Sequence, residues 1–144
     1  MTRDELVNFI RRHPLAVQTS VSASGAPQAA VVGIVVSDDL HVFFDTLKTS
    51  RKCDNLRRDL RIALVIGWDL EQACTLQLEG VADEPFGSEL EQLKQLYFER
   101  FPDGVESERS PDITYIRVRP TWLRFSDFRG KEPAIVELRA EALR

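Results

Sequence analysis

The fold is decided by residues 28–46, which have the sequence QAAVVGIVVSDDLHVFFDT. Residues 28–37 form an apolar run rich in valine, which is typical of a strand covered on both faces. Residues 37–39 form a polar turn, and residues 40–46 have the pattern of a second strand. Because strands joined by so short a turn can pair only antiparallel, the sequence predicts an antiparallel sheet here.

Similar patterns continue on both sides of this stretch. We predict further strands over 15–21, 61–68, 74–84, 113–119 and 121–128. Helices are predicted over 2–13, 51–59 and 88–101, the first and last beginning with capping boxes, Thr2 with Glu5 and Ser88 with Glu91. This order lacks the regular alternation of a Rossmann sheet and favours a small antiparallel barrel with helices over its openings. Residues 129–144 stay unassigned.

The composition excludes several classes of function. The chain has 144 residues, 43% of them hydrophobic and 29% charged, which is typical of one soluble globular domain over residues 1–144. The net charge of −4 argues against a nucleic-acid partner, and no apolar run is long enough to span a membrane. The charged amino-terminal stretch lacks the apolar core of a signal peptide, so we expect a cytoplasmic location. Two isolated cysteines and two isolated histidines offer no metal site and no Ser-His-Asp arrangement.

A local cluster of positive charge stands out in this acidic chain. Between residues 48 and 61 there are six lysines and arginines against two aspartates. Ser50, Arg51 and Lys52 lie where a strand ends and a helix begins, and free backbone N–H groups at a helix start favour a phosphate. A solvated basic helix start is the alternative interpretation. For Arg57 and Arg58 we favour the solvated helix face over ligand binding.

Several stretches resemble the FMN-binding split-barrel family typified by pyridoxamine 5′-phosphate oxidase. The most specific is SRKCDNLRRDLRIAL at 50–64, which follows QAAVVGIVV at 28–36 and VFFDT at 42–46. LQLEGVAD at 76–83 and YIRVRPTWLRFSDF at 115–128 are similar to later strands of the family. The resemblance covers residues 10 to 128 approximately. It implies a mainly β fold, a six- to seven-stranded antiparallel split β-barrel with flanking helices.

The resemblance also implies a cofactor, FMN, held at the interface of a homodimer. The residues that would contact it from one chain are Ala29, Ala30, Val31, Val32, Asp45, Thr46, Ser50, Arg51 and Lys52. Those that would reach it from the other chain are Thr75, Trp122 and Arg124. At Thr75 the family often has glutamine. Trp122 alternatively fills the core or a dimer contact, and Arg124 is alternatively a surface residue.

One departure from the family limits what the resemblance implies about activity. The vitamin B6 oxidases end in a strand with an arginine–histidine pair, whereas this chain has no histidine after His41. Pyridoxamine 5′-phosphate oxidase activity is therefore not expected. The first hypothesis is an FMN-dependent oxidoreductase with a small-molecule substrate and no assigned catalytic residue. The alternatives are a non-catalytic flavin-binding or sensing protein, a relative that uses deazaflavin F420 or heme, and a structural dimer without a cofactor.

Overall fold

A strongly curled antiparallel sheet forms the centre of the computed structural model, which describes residues 1–143. Its strands are β1 (Leu15–Val21), β2 (Pro27–Gly33), β3 (Val35–Val36), β4 (Val42–Leu47), β5 (Arg61–Ile66), β6 (Cys74–Asp83), β7 (Ile113–Asp127) and β8 (Ala134–Arg139). The helices are α1 (Arg3–Arg11), α2 (Arg51–Arg58), α3 (Gly87–Arg100) and α4 (Gly104–Glu108), and a 3₁₀ turn spans Ala140–Leu143.

Seven strands follow one another around the sheet in the order β2-β1-β5-β6-β7-β4-β3, and β8 pairs with β7 outside this path. Every pairing is antiparallel. The predicted mainly β, antiparallel barrel with flanking helices is thus confirmed. Aliphatic and aromatic side chains form its hydrophobic core, including Val42, Phe43, Phe44 and Leu76, which are fully buried.

The valine-rich run at 28–37 is two strands rather than one. β2 pairs with β1, whereas β3 pairs with β4, and Ile34 connects them. Since β2 and β3 are the two ends of the strand order, this single residue carries the chain from one edge of the sheet to the other.

The end of the chain also differs from the sequence expectation. The predicted strands 113–119 and 121–128 form one strand, β7, that continues through Pro120. The register with β6 shifts between Glu79 and Gly80, opposite Pro120, and such a bulge accommodates a residue that has no N–H group to donate. β8 lies in the segment that the sequence left unassigned, where it pairs with residues 122–127 of β7.

The two predicted capping boxes have different outcomes. At α1 the backbone N–H of Thr2 donates to Glu5 at 2.6 Å and the backbone N–H of Glu5 donates to Thr2 at 3.2 Å, as expected. At α3 the prediction was wrong, because the helix begins at Gly87 with Phe86 at the N-cap and no side-chain cap. Within residues 1–143, no helix is long and apolar enough to cross a membrane.

Candidate functional site

The junction of β4 and α2 brings three polar side chains together. Ser50 is the N-cap of α2, and its hydroxyl accepts a hydrogen bond from the backbone N–H of Cys53 at 3.4 Å. The Lys52 ammonium donates to the Thr46 hydroxyl at 3.1 Å, and Thr46 Oγ1 lies 3.3 Å from Ser50 Oγ. The junction therefore presents hydroxyl groups, an ammonium group and free backbone N–H groups at one helix start.

The structure separates the basic cluster into paired and unpaired cations. Arg57 forms an ion pair with Glu84 at 2.9 Å, and Arg61 forms one with Asp59 at 2.7 Å, which lowers the pKa of Asp59 to about 2. Among the described residues 1–143, Arg51 and Lys52 form no ion pair with a carboxylate. Lys48 and Arg58 of the cluster also form no ion pair among these residues, and Arg58 donates to the neutral side chain of Asn55. Arg51 and Lys52 are thus the cations without a carboxylate partner that lie at the start of α2.

A cleft of about 100 Å³ lies between this helix start and the sheet. Its lining residues come from β1, β2 and α2: Gln18, Ser20, Gln28, Ala29, Ala30, Arg51 and Lys52. The structure therefore brings four of the predicted site residues, Ala29, Ala30, Arg51 and Lys52, to one cleft. Of the other predicted β2 residues, Val32 is buried in the core and Val31 is 60% exposed.

A buried polar network supports the wall of the cleft. The side-chain amide nitrogen of Asn55 donates to Ser20 Oγ at 3.0 Å and to Gln28 Oε1 at 2.9 Å, which uses both of its hydrogens. Asn55 Oδ1 in turn accepts from Arg58 at 3.2 Å. Sequence inspection did not single out Gln18, Ser20, Gln28 or Asn55 as site residues. The sequence pattern that could have indicated them is polar residues within otherwise apolar strands, together with an asparagine within the basic helix.

Asp45 and Thr46 are adjacent in β4 but have different partners. Thr46 faces Lys52, whereas Asp45 accepts a hydrogen bond from the hydroxyl of Tyr97 in α3 at 2.9 Å. Burial and the charge of Asp45 raise the pKa of Tyr97, so that this phenol stays protonated and donates. Since successive residues of a strand point to opposite faces, the structure brings Thr46 but not Asp45 to the helix start.

Thr75, Trp122 and Arg124 lie apart from the cleft within one chain. They belong to β6 and β7, which are separated from β2 by β1 and β5. Arg124 forms an ion pair with Glu137 of β8 at 3.0 Å, and Trp122 is paired in register with Glu79 and Arg139. Within one copy of the chain, Thr75, Trp122 and Arg124 therefore do not lie at the cleft that Arg51 and Lys52 line.

Comparison with known proteins assigns the family. The pyridoxamine 5′-phosphate oxidase family matches residues 2–127, and this chain belongs to that family. No curated protein sequence matches the chain.

Solved structures share the fold at low sequence identity. A heme-binding protein from Mycobacterium smegmatis has a TM-score of 0.85 at 17% identity over 99% of this chain, which spans 60% of that protein. HutZ, a heme storage protein from Vibrio cholerae, has a TM-score of 0.71 at 18% identity, covering 83% of this chain and 91% of its own. A Clostridium acetobutylicum protein of the pyridoxinephosphate oxidase family, related to general stress protein 26, has a TM-score of 0.73 at 13% identity, covering 99% and 96%.

Proposed function

We propose that this chain is an FMN-binding flavoprotein that acts as a homodimeric oxidoreductase on a small-molecule substrate. The observation that carries the proposal is the helix start of α2. There Arg51 and Lys52 have no carboxylate partner within residues 1–143 and border the same cleft as Ala29 and Ala30. A guanidinium, an ammonium and unpaired N–H groups suit a phosphate dianion, because each supplies a charge-assisted hydrogen bond.

The size of the cleft supports a site completed outside one chain. Pockets for cofactor-sized ligands have volumes of about 300–1,000 Å³, whereas this cleft has about 100 Å³. We therefore assign the phosphate end of FMN to the cleft and the ring to the exposed surface of β2, near Val31.

The outer face of the sheet supports a homodimer. Val31, Val17 and Val65 lie side by side in register on β2, β1 and β5, and Val31 and Val65 are 60% and 39% exposed. The same row continues through Gln77 to Arg124. In the proposed dimer a second copy covers this apolar row, and its β6–β7 face supplies Thr75, Trp122 and Arg124 to the flavin.

In this proposal the cofactor supplies the redox chemistry and the protein side chains and backbone bind it. Bound FMN would supply the hydride or electron transfer. Ser50, Arg51, Lys52 and Thr46 would hold its phosphate, and the backbone of Ala29 to Val32 would lie along the ribityl chain and ring. No side chain is assigned as a catalytic acid or base, and the cytoplasmic location remains part of the proposal.

Heme is the second candidate, because two of the structural neighbours are described as heme proteins. The histidines of this chain do not favour it. Neither His13 nor His41 lines the cleft, and the His13 ring lies against Phe9 with its Nδ1 2.8 Å from the Phe9 carbonyl. Deazaflavin F420, which also carries a phosphate, suits the same cations.

An absorbance spectrum of the purified protein, followed by titration with FMN, tests the proposal. We expect flavin bands or tight FMN binding in the wild type and loss of binding in Arg51→Ala/Lys52→Ala. The matched control is Arg57→Ala/Arg61→Ala, which removes two cations that already have partners and should bind FMN normally. A colourless protein that does not bind FMN contradicts the proposal. A Soret band would favour heme, and binding of F420 would favour the deazaflavin.

Turnover is tested separately on the loaded protein. An oxidoreductase should pass electrons from a reductant to an acceptor over many cycles. A flavin-binding or sensing protein should show no steady-state consumption of the reductant after its bound flavin has been reduced. Failure to turn over with a panel of nicotinamide and quinone partners would favour the non-catalytic alternative.

A further inference from the structure

Gln18 is the polar side chain of the cleft that the protein itself leaves unsatisfied. It is 1% exposed and lies on β1, and its side-chain carbonyl oxygen has no hydrogen-bond partner among residues 1–143. Its neighbours across the strands are Ala30 and Leu64, whose side chains have no hydrogen to donate. Native proteins rarely leave such an acceptor buried and unpaired, because doing so destabilises the fold.

The neighbouring network does not supply the missing donor. Asn55 uses both amide hydrogens on Ser20 and Gln28. Lys52 donates to the Thr46 hydroxyl and has no hydrogen bond to Gln18. Gln18 nevertheless lines the same cleft as Arg51 and Lys52, so an occupant of the cleft would meet the two cations and this acceptor together.

We infer that Gln18 is a specificity residue that accepts a hydrogen bond from a ligand hydroxyl group next to the phosphate. The cations of the cleft attract any anion, but a carbonyl oxygen is an acceptor and favours a hydroxyl over another negatively charged oxygen. The class of ligand is then a phosphate ester of a polyol, and the ribityl phosphate of a flavin belongs to this class. Heme has carboxylate side chains and no hydroxyl group to donate.

This inference rests on the phosphate site of the proposed function but not on the flavin ring. It predicts that the protein distinguishes ribitol phosphate from n-pentyl phosphate, which differ only in the hydroxyl groups. Wild-type protein should bind ribitol phosphate about tenfold more tightly, since one hydrogen bond to a buried acceptor accounts for a difference of that order. Inorganic phosphate serves as the reference for the cations alone.

The variant Gln18→Met removes the acceptor and keeps an unbranched side chain of similar size. It should reduce the preference for ribitol phosphate to near unity, lower FMN affinity about tenfold and leave inorganic phosphate binding unchanged. The thermal midpoint of the ligand-free protein should stay equal or rise, because an unsatisfied buried oxygen is removed. Gln95→Met, the same change at an exposed position of α3, is the control and should alter none of these values.

The outcomes separate this inference from the proposed function. If FMN binds but Gln18→Met leaves both the preference and the FMN affinity unchanged, the role of Gln18 is overturned and the FMN site stands. If FMN does not bind while the preference for ribitol phosphate persists and depends on Gln18, the flavin assignment fails and the role of Gln18 stands. Wild-type protein that binds both esters equally, or a variant that weakens inorganic phosphate equally, overturns the hydroxyl assignment.

Discussion

The ammonium group of Lys52 donates a hydrogen bond to the hydroxyl of Thr46 at 3.1 Å, across the junction between β4 and α2. Thr46 is buried near the end of β4, whereas the side chain of Lys52 is half-buried. A flexible four-carbon side chain is thereby held over the cleft before any ligand arrives. Because ordering a lysine costs conformational entropy, this contact moves part of that cost from binding to folding.

Replacing Thr46 with valine should therefore weaken anion binding. Valine keeps the β-branched shape that suits a strand but removes the acceptor for Lys52. We expect FMN affinity to fall roughly three- to tenfold, with the positive charge of the site unchanged. Isothermal titration measures the effect. Thr46→Ser retains the hydroxyl and should bind like wild type, and equal affinity in the valine variant would show that Lys52 needs no anchor.

Arg117 should be a large single contributor to stability. Its guanidinium binds Asp83 through two hydrogen bonds, Nε to Oδ1 at 2.9 Å and Nη2 to Oδ2 at 2.7 Å, and reaches Glu89 of α3 at 2.7 Å. The arginine side chain is 6% exposed, whereas its carboxylate partners are 35% and 66% exposed. The buried Arg117 thus links α3, through Glu89, to the sheet, through Asp83.

Arg117→Met should lower the free energy of unfolding by about 2 kcal/mol. Breaking a fully buried pair costs about 3–5 kcal/mol, and we discount that value because the remaining carboxylates keep contact with water. Urea denaturation near neutral pH measures the change. Arg61→Met, which breaks the exposed pair with Asp59, is the control and should lower the free energy of unfolding much less than Arg117→Met, because solvent screens an exposed pair. Equal losses in the two variants would contradict the assignment.

The sequence predicted most elements correctly because their patterns are local. The capping box at Thr2, the N-cap at Ser50 and the alternation of β6 depend on residues within one turn or one strand. β8 was missed because it is almost entirely exposed and has no buried face to produce a pattern. The break at Ile34 is set by which strand lies beside each half of the run, and that is a property of the whole curled sheet.

The site was harder to predict because β1 has the opposite orientation to the one its composition favours. The general rule places apolar side chains inside, yet Gln18 and Ser20 are buried while Leu15 is 45% exposed. The two polar residues face the cleft, and the apolar ones form the outer row with Val31 and Val65. Only the tertiary arrangement reveals that the polar face lines the cleft and that the apolar row on the other face is partly exposed.

Stability should decline as the pH falls below about 6.5 because of His41. Burial lowers the pKa of this histidine from 6.5, helped by the charges of Arg117 and Arg119 and opposed by Asp39 and Asp83. The unfolded chain therefore binds a proton that the folded chain resists, so the free energy of unfolding falls as the pH drops through the unfolded value. Above that pH the histidine is neutral in both states and contributes no slope.

Denaturant unfolding at several pH values between about 8 and 5 measures this slope. His41→Asn should flatten the curve in that window while leaving the steeper loss at lower pH, where Glu89 and Asp59 become protonated and lose their arginine partners. The difference between variant and wild type at about pH 8 gives the part of the change that is independent of protonation. Identical slopes would show that His41 does not titrate in this window.

Gly80 should tolerate no side chain, because it lies at the bulge where β6 and β7 change register. A Cβ atom at this position would lie 2.5 Å from the backbone oxygen of Arg119 and 3.0 Å from a methyl group of Val118. The first neighbour is backbone and cannot rotate away, so the two strands would have to separate. We expect Gly80→Ala to lower the free energy of unfolding by about 2–3 kcal/mol, at the upper end of overpacking costs. The control is Gly130→Ala, whose Cβ would lie 3.5 Å from the nearest atom, Glu132 O, and should change stability by under about 0.5 kcal/mol.

Since Trp122 and Arg124 follow the bulge on β7, the proposed dimer predicts that Gly80→Ala also weakens FMN binding. A destabilised variant with wild-type FMN affinity under folding conditions would argue that the β7 residues do not contact the cofactor.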